Sequence, residues 1–539
     1  MSHPPSPSGT SYYYDDTLEF SDESLERFSV LPPEVLCLLA DHLSPSDLAA
    51  CCQVCRGFRY YFEDYLFRDL VLVHPNRIAD FNFAEERFKR HCFLTRSFVS
   101  SAGMQHARML ITSECRSLRR LCLQFSPRAT IPPNVMANLL TSLSGANTRI
   151  HHITLAGAID WTTTLRQLSS WRVLSSLDLD FAHVTLTEVA ARSCQGSFEV
   201  VGALPALRKL SLANFYGPCS GLLMLLRECP NLEAVRFKLL DVWQPSTSCS
   251  AELVELLKNV QTLTWEASAV GSEELGEMLG LGSRTKKVAI AARHMDSLEP
   301  LASKAPTFRS LTLAGVQGPF GAELQWFLEK STTLQELVIL PSLQFEQGHQ
   351  TRLLARNFHD RSGQMRILDE HAAGWSAMWG CSLTLTYLEV VIERLQPTYA
   401  EGISSSSGSQ SWSLSAGCLA EHKVVYEQLG LLVNLRHLRL GVRGAEEHQT
   451  SSLLFSADTG LGPLGGMKSI QTLDLRWTIH EIGRIELDWF YSHWPRLKVI
   501  KGLTELPLEA DQRSLQRSDG AKTWIQEHPF GVGHDYYGH

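Results

Sequence analysis

Apolar residues recur along most of the chain at the first, fourth and sixth positions of a six-residue motif. Eleven copies occur, and most begin 24 to 35 residues after the previous copy. They are LRRLCL (118), IHHITL (150), LSSLDL (174), LRKLSL (207), LEAVRF (232), VQTLTW (260), FRSLTL (308), LQELVI (334), LTYLEV (385), LRHLRL (435) and IQTLDL (470). TKKVAI at residue 285 fits as a degenerate further copy. A period of this size accommodates one strand, one turn and one helix.

The motif predicts a strand because its fourth and sixth residues point to the same face of an extended chain. After the copy at 207, GLLMLLRECPN at 221–231 instead has the apolar spacing of a helix and ends near a proline. Neither element can bury its apolar face alone, so successive copies must stack. We therefore expect residues 118–505 to form an α/β solenoid, with a curved parallel sheet and helices outside it.

Residues 29–73 have a different pattern. Six consecutive apolar residues, Val35–Ala40, follow two prolines that favour a helix start, and SPSD at 44–47 ends this helix and begins another. These signals predict three short helices. Six consecutive helical positions surround the helix, so apolar cover is needed on more than one side. The segment either packs on the neighbouring repeats as an end cap or binds another protein.

The rest of the chain divides by composition. Residues 1–28 are rich in Pro, Ser and acidic residues and are predicted to be a disordered tail. Residues 74–117 are predicted to be a helical connector. The Ser/Gly-rich stretch 402–417 reads as a loop insertion in the solenoid, and residues 506–539 as a C-terminal tail.

The segment LPPEVLCLLADHLSPSDLAACCQVCRGFRYYFEDYLFRDL resembles an F-box. It has the Leu-Pro start, a leucine-rich first helix ending at Leu43, a polar SPSDL turn, and Val-Cys-Arg followed by an aromatic residue. Phe67 stands where this family often has Trp. The repeats resemble degenerate leucine-rich repeats, without the Asn usually found three residues after the last strand leucine. An F-box before such repeats is typical of a subclass of F-box proteins, and fungal members are the most similar.

The resemblance implies a function. In this family the F-box binds the small Skp-type adaptor of a cullin-RING ubiquitin ligase, and the repeats hold a target protein. Carried over by position, the adaptor-binding residues are Leu31, Pro32, Glu34, Val35, Leu36, Leu43, Leu48, Val54, Cys55 and Phe58. The chain would be a substrate receptor and not an enzyme. The alternative is a leucine-rich repeat scaffold or interaction protein that delivers no substrate.

The outward positions of the repeat strands are candidates for binding the target. Residues at the third, fifth and seventh positions counted from the start of each motif point away from the solenoid core. They include Asp178, Asp180, Arg236, Lys238, Glu266, Glu336, Tyr387, Glu389, His437, Arg439, Asp474 and Arg476. Their mixed signs favour a folded protein or a peptide over a polyanion. The alternative is an ordinary solvated strand face. Trp477, Trp489, Phe490 and Trp494 could anchor a ligand or pack in the core.

Composition and charge narrow the possible classes of protein. The chain is 44% hydrophobic and 20% charged, and no stretch approaches the roughly 20 apolar residues of a membrane span. The N-terminus lacks the features of a secretory signal, so we expect the cytoplasm or nucleus and no membrane contact. Thirteen irregularly spaced cysteines indicate reduced thiols. A net charge of −8 argues against nucleic-acid binding, and the basic stretch at 87–96 reads as a solvated helix face.

No pattern indicates catalysis, a metal or a cofactor. Cys52 and Cys55 have Cys-x-x-Cys spacing, but no second Cys or His pair follows at zinc-finger spacing, so they read as helix residues. The adjacent His151 and His152 lie in a predicted strand, and their side chains should point to opposite faces. GHDYYGH at 533–539 reads as a disordered terminus. No Gly-x-Ser-x-Gly, phosphate-binding loop or His-Glu-x-x-His occurs.

Overall fold

The computed structural model describes residues 31–503, except for gaps of which the longest are 73–85, 182–201, 355–378 and 394–415, together with Trp524 and residues 531–532. The chain forms two compact units, residues 1–174 and residues 175–539. The predicted tail at 1–28, most of the predicted loop at 402–417, and the GHDYYGH terminus lie outside the described residues.

The first unit begins with the three short helices predicted for this segment. They are α1 (Pro33–His42), α2 (Pro45–Val54) and α3 (Arg56–Leu66). A reciprocal capping box starts α2, because the Asp47 N–H donates to Ser44 Oγ and the Ser44 N–H donates to Asp47 Oδ2, both at 3.2 Å. The helices enclose a small core made of Leu36, Ala40, Leu48, Cys52 and Phe62.

Four parallel strands follow in the first unit and pair in chain order. They are β1 (Asp69–Leu72), β2 (Ser97–Ser100), β3 (Arg120–Gln124) and β4 (His152–Ala156). Three helices come after β2, β3 and β4 in turn: α4 (Gly103–Ile111), α5 (Pro133–Ala146) and α6 (Trp161–Leu168). Consecutive helices of this set pack on each other. Each strand and its helix therefore form one layer of a stack.

The parallel sheet begins earlier in the chain than the motif search indicated. FRDLVL at 67–72 has the motif spacing and forms β1, and residues 74–117, expected to be a helical connector, also contain β2. Thr95 and Ser100 occupy apolar positions of the motif in β2, yet both are buried. Thr95 Oγ1 donates to the Phe67 carbonyl at 3.1 Å, and Ser100 Oγ lies 2.6 Å from His106 Nδ1. Hydrogen bonding therefore lets polar side chains fill these positions.

The second unit continues the same architecture. Its strands are β5 (Ser176–Asp180), β6 (Lys209–Phe215), β7 (Ala234–Leu239), β8 (Thr262–Val270), β9 (Lys287–Met295), β10 (Ser310–Ala314), β11 (Glu336–Leu340), β12 (Leu353–Leu354), β13 (Tyr387–Val390), β14 (Ile392–Glu393), β15 (His437–Leu440), β16 (Thr472–Asp474), β17 (Val499–Lys501) and β18 (Gly531–Val532). The short β12 and β14 pair with each other, and the others form one parallel sheet in chain order. Every motif copy in this unit, including TKKVAI in β9, forms a strand.

Short 3₁₀ helices precede β13 and β16, and other strands are connected by α-helices. These α-helices are α7 (Cys219–Arg227), α8 (Thr247–Leu257), α9 (Glu299–Lys304), α10 (Gly321–Lys330), α11 (Ala416–Gly430) and α12 (Arg484–His493). The solenoid fold predicted from the repeats is thus confirmed. Within β5, Leu177 and Leu179 are buried and Asp178 between them is half-buried, as the alternation of a strand requires.

Trp524 and residues 531–532, which are described in the C-terminal region, take part in the second unit. Strand β18 lies in the predicted C-terminal tail and pairs with β17. Trp524 is fully buried, and its Nε1–H donates to Asp488 Oδ1 at 2.7 Å. Trp494 and Phe490 are also buried, with ring centroids 4.6 Å apart. These aromatic residues therefore pack in the core. Trp477 lies outside the described residues.

Candidate protein-binding surfaces

An exposed apolar surface lies on one side of helix α1. Val35, Leu38 and Leu39 share this side because residues three and four positions apart are neighbours on a helix, and Leu31 lies four positions before Val35, just ahead of the helix. Leu38 is 61% exposed and Leu39 is 45% exposed. Leu36 and Ala40 occupy the opposite side and are buried. We call Leu31, Val35, Leu38 and Leu39 the α1 apolar face.

The ten residues predicted to bind the adaptor do not share one environment. Leu31, Pro32, Glu34, Val35 and Val54 are exposed, and Leu43 and Phe58 are half-buried. Cys55 lies outside the described residues. Leu36 and Leu48 are only 3% and 6% exposed, because they form the core between the three helices. The structure therefore assigns these two leucines to the core and not to a binding surface.

Leu38 and Leu39 were not among the predicted contacts, although the sequence contains a signal for them. Within a helix, Leu36 and Ala40 are four positions apart and point to the same side. Leu38 is rotated from Leu36 by about 200°, because each residue turns the helix by about 100°. Once Leu36 faces the core, Leu38 must face away from it.

Polar contacts attach α1 to the rest of the segment. Arg68 Nη1 donates to Asp41 Oδ1 at 2.7 Å, and Arg68 Nε donates to Asp69 Oδ2 at 3.1 Å. This hydrogen bond to Asp41 is the largest cause that raises the pKa of the Arg68 guanidinium. Tyr65 OH donates to Cys37 Sγ at 2.6 Å, and this bond is the main reason why the pKa of Tyr65 is raised to about 12. The α1 apolar face is therefore presented by an anchored helix.

The outward face of the second-unit sheet is the second candidate surface. The structure places eleven of the twelve predicted target-binding residues on its strands, and Arg476 lies outside the described residues. Many of their charges pair with one another. Arg236 donates to Glu266 Oε1 from Nε at 2.9 Å and from Nη2 at 2.6 Å. Lys287 Nζ lies 3.9 Å from Glu336 Oε2. Such pairs reduce the charge that the face presents to a partner.

A denser polar cluster joins β13, β15 and β16. Arg439 Nη1 lies 3.0 Å from Glu389 Oε1, and Arg439 Nε lies 3.6 Å from Asp474 Oδ2. Tyr387 OH donates to Glu389 Oε2 at 2.6 Å. Burial, followed by this hydrogen bond, raises the pKa of Tyr387 to about 12. Glu389 and Asp474 are only 9% and 6% exposed, and their carboxylates pair with Arg439 between strands.

The remaining sequence candidates have structural roles. Cys52 is buried in the helical core. His151 Nδ1 lies 3.1 Å from the Val173 carbonyl, whereas His152 Nε2 lies 3.1 Å from Thr154 Oγ1, so the two rings have different partners. Trp489 is half-buried and stacks on His493 at 4.3 Å. Among the described residues, no group of three or more His, Cys, Asp and Glu side chains is arranged to hold a metal ion.

In the part of the chain that the structure describes, every helix is too short or too polar to cross a bilayer.

Two comparisons with known proteins found similarities to this chain. Residues 28–73 match the family model described as F-box-like, so the three helices and β1 form an F-box-like segment. Seventy-three chains of solved structures match the chain. One comes from the crystal structure of the Rad7 and Elc1 complex in yeast, with 13% sequence identity, coverage of 92% of this chain and 96% of that chain, and a TM-score of 0.38. No curated protein sequence matches.

Proposed function

We propose that this chain is the substrate-receptor subunit of a Skp-cullin-F-box type ubiquitin ligase. Its F-box-like segment would bind a Skp-type adaptor, and its solenoid would bind a target protein. The observation that carries this proposal is the α1 apolar face, which is exposed within the residues that match the F-box-like family. Exposed apolar side chains grouped on one helix side are typical of protein-binding surfaces.

Burial of the α1 apolar face would contribute to the stability of a complex. Fully burying one leucine side chain contributes about 1.5–3 kcal/mol, and the α1 apolar face offers three leucines and one valine. A standard interface buries about 1,600 Å² in total and depends on a few central side chains. We propose Leu38 and Leu39 as these central residues, surrounded by Leu31, Pro32, Glu34, Val35, Leu43, Val54, Cys55 and Phe58. Leu36 and Leu48 would support the surface from beneath.

The solenoid would contribute proximity and no chemistry. A target held on the outward sheet face has a raised effective concentration near the ubiquitin-charged enzyme that a cullin-RING ligase recruits. Of the predicted target-binding residues, Asp178, Asp180, Lys238 and His437 are more accessible than Glu389 and Asp474. We expect no catalytic residue or cofactor, and a cytoplasmic or nuclear location, as for other ligase subunits.

Adaptor binding can be tested with variants of the full chain. We would measure the affinity for a purified Skp-type adaptor and compare the native chain with Leu38→Ser/Leu39→Ser. The matched control is Leu383→Ser/Val433→Ser, which makes an equivalent change at exposed apolar residues of the second unit. We expect binding by the first variant to be weaker by at least about thirtyfold, since even one central residue contributes about 2 kcal/mol. Native affinity in the first variant, or no binding by the native chain, would reject the adaptor-binding role.

The internally paired charges of the sheet face favour a second candidate function. Arg236 with Glu266, and Arg439 with Glu389 and Asp474, neutralise one another on the face assigned to the target. This is compatible with an adaptor-bound scaffold that delivers no substrate. The two functions differ in one measurable respect. Proteins bound to the solenoid should accumulate in cells that express Leu38→Ser/Leu39→Ser if the chain is a substrate receptor, and should stay at native levels if it is a scaffold.

A further inference from the structure

Charge is strongly segregated along the first unit. Residues 1–88 contain fifteen Asp and Glu but only six Lys and Arg, whereas residues 89–174 contain eleven Lys and Arg but only two Asp and Glu. Ten of these eleven cations are arginines. The net charge of −8 for the whole chain hides this division. A basic region of this kind attracts acidic groups, either on a partner or on the chain itself.

The arginines lie together at one edge of the first-unit sheet. Arg96, Arg116, Arg119, Arg120 and Arg149 are exposed, and all five lie at or just before the starts of β2, β3 and β4. Parallel strands begin at the same edge of a sheet. We call these five residues the basic edge.

Backbone hydrogen bonds hold the basic edge in register. The Arg96 carbonyl accepts the N–H groups of Arg119 and Arg120 at 2.7 and 3.0 Å. The Arg68 carbonyl accepts the N–H of Arg96 at 2.8 Å in the same way. Arg68, Arg96 and Arg119 therefore form a row across β1, β2 and β3, with a spacing of about 4.8 Å between strands. The backbone therefore places three arginines on neighbouring strands in register.

The first member of the row differs from the next two. Arg68 is paired with Asp41 and Asp69. Among the residues that the structure describes, no carboxylate pairs with Arg96, Arg119 or Arg120. Arginine presents a planar fork that binds carboxylates through paired hydrogen bonds, so these three side chains are suited to an acidic ligand.

We infer that the acidic segment 15–26 of the same chain binds the basic edge. The segment reads DDTLEFSDESLE and contains six carboxylates and no Lys or Arg. Its charge is thus complementary to the basic edge, and it belongs to the same unit. The partner is an internal segment of the chain, and the inference does not depend on adaptor binding.

The length of the intervening chain is sufficient for this contact. Helix α1 has ten residues and spans about 15 Å, and its Asp41 contacts Arg68. Arg119 lies two strands beyond Arg68, or about 10 Å further. The nine residues from Asp22 to Leu31 extend to about 30 Å, and Asp15 and Asp16 reach further still. The segment can therefore reach Arg96 and Arg119.

Because the acidic segment is tethered to the basic edge by the same chain, individually weak ion pairs are sufficient to hold the two together. An exposed ion pair contributes at most about 1 kcal/mol, but a short flexible linker supplies an effective concentration in the millimolar range. The bound segment would cover the basic edge and exclude other polyanions from it. Because exposed charges are screened by salt, the segment should be released as ionic strength rises.

The test uses the full chain with its six acidic residues in segment 15–26 replaced by Asn or Gln. A fluorescent peptide of residues 10–30 is titrated with this chain, and anisotropy reports binding. We expect binding at 50 mM NaCl that is lost at 0.5 M NaCl. Arg96→Glu/Arg119→Glu should weaken it at least about tenfold, since two attractive pairs become repulsive. Lys286→Glu/Arg309→Glu changes two exposed residues at the equivalent positions before β9 and β10 and should leave the affinity unchanged.

Three results would overturn the inference: no binding of the peptide, equal loss of binding in both charge-reversal variants, or an oligonucleotide that binds the native chain as tightly as the chain with the neutralised segment. The last result would identify the basic edge as a nucleic-acid site. Both charge-reversal variants must have the same melting temperature as the native chain, so that a folding defect is not mistaken for lost binding.

Discussion

Two leucines that are two positions apart in α1 should respond in opposite ways to truncation. Leu36 is 3% exposed and is one of only five fully packed residues in the helical core, whereas Leu38 is 61% exposed. Leu36→Ala leaves a cavity and should destabilise the F-box-like segment by about 2–5 kcal/mol. Leu38→Ala removes almost no packing and should change stability by less than about 0.5 kcal/mol.

Hydrogen exchange of the full chain is the appropriate assay, because it reports local opening of one segment within a larger protein. A loss of 2–5 kcal/mol corresponds to amide exchange in residues 33–66 that is about thirty- to several-thousandfold faster. Exchange in the second unit should stay unchanged and provides the internal control. Adaptor affinity should show the reverse selectivity among folded molecules, since Leu38 belongs to the α1 apolar face. Equal loss of protection in the two variants would refute the assignment of inward and outward sides.

Other consequences of the packing can be measured directly. Gly466→Ala should lower the melting temperature by several degrees, because an added Cβ would collide with the Gly430 backbone carbonyl. Gly462→Ala meets no atom within 4 Å and should be neutral, so similar melting temperatures for the two variants would contradict this reasoning. Thr95→Val should cost about 1 kcal/mol in denaturant unfolding, since it removes a buried hydrogen bond, and an unchanged midpoint would show that the bond is unimportant. Burial raises the pKa of Cys381 to about 12, so at pH 8 its thiol should resist alkylation while the exposed Cys37 reacts. Mass spectrometry of the alkylated native chain measures both reactions, and faster modification of Cys381 than of Cys37 would contradict the prediction.

The repeat strands could be predicted because their signal is local. Leu177 and Leu179, two positions apart, face the core of a strand wherever that strand lies in the sheet. The motif search overlooked β1 and β2 for different reasons. FRDLVL has the expected spacing but lies within the F-box-like segment. In β2, Thr95 and Ser100 replace apolar residues, and their hydrogen-bond partners become visible only in the folded chain.

The binding surfaces could be predicted only in part. An unbroken apolar run at 35–40 signals that one helix has more apolar surface than its own small core can cover. It does not say which residues face that core, and the family resemblance placed Leu36 at the surface. The packing of α2 and α3 decides this orientation. The sequence likewise predicted which charged residues lie on the outward face of the solenoid, but it did not predict which of them pair with one another.

The sequence by itself determined the periodicity, the segregation of charge and the F-box-like resemblance, because each is carried by residues close together in the chain. Tertiary structure alone decided that Leu38 faces outward and that Arg439 binds Glu389, a residue 50 positions away. Such pairings depend on which strands become neighbours and in what register. The stacking of whole repeats establishes the register of the strands. Because the segments between strands vary in length, a local sequence pattern cannot predict this register.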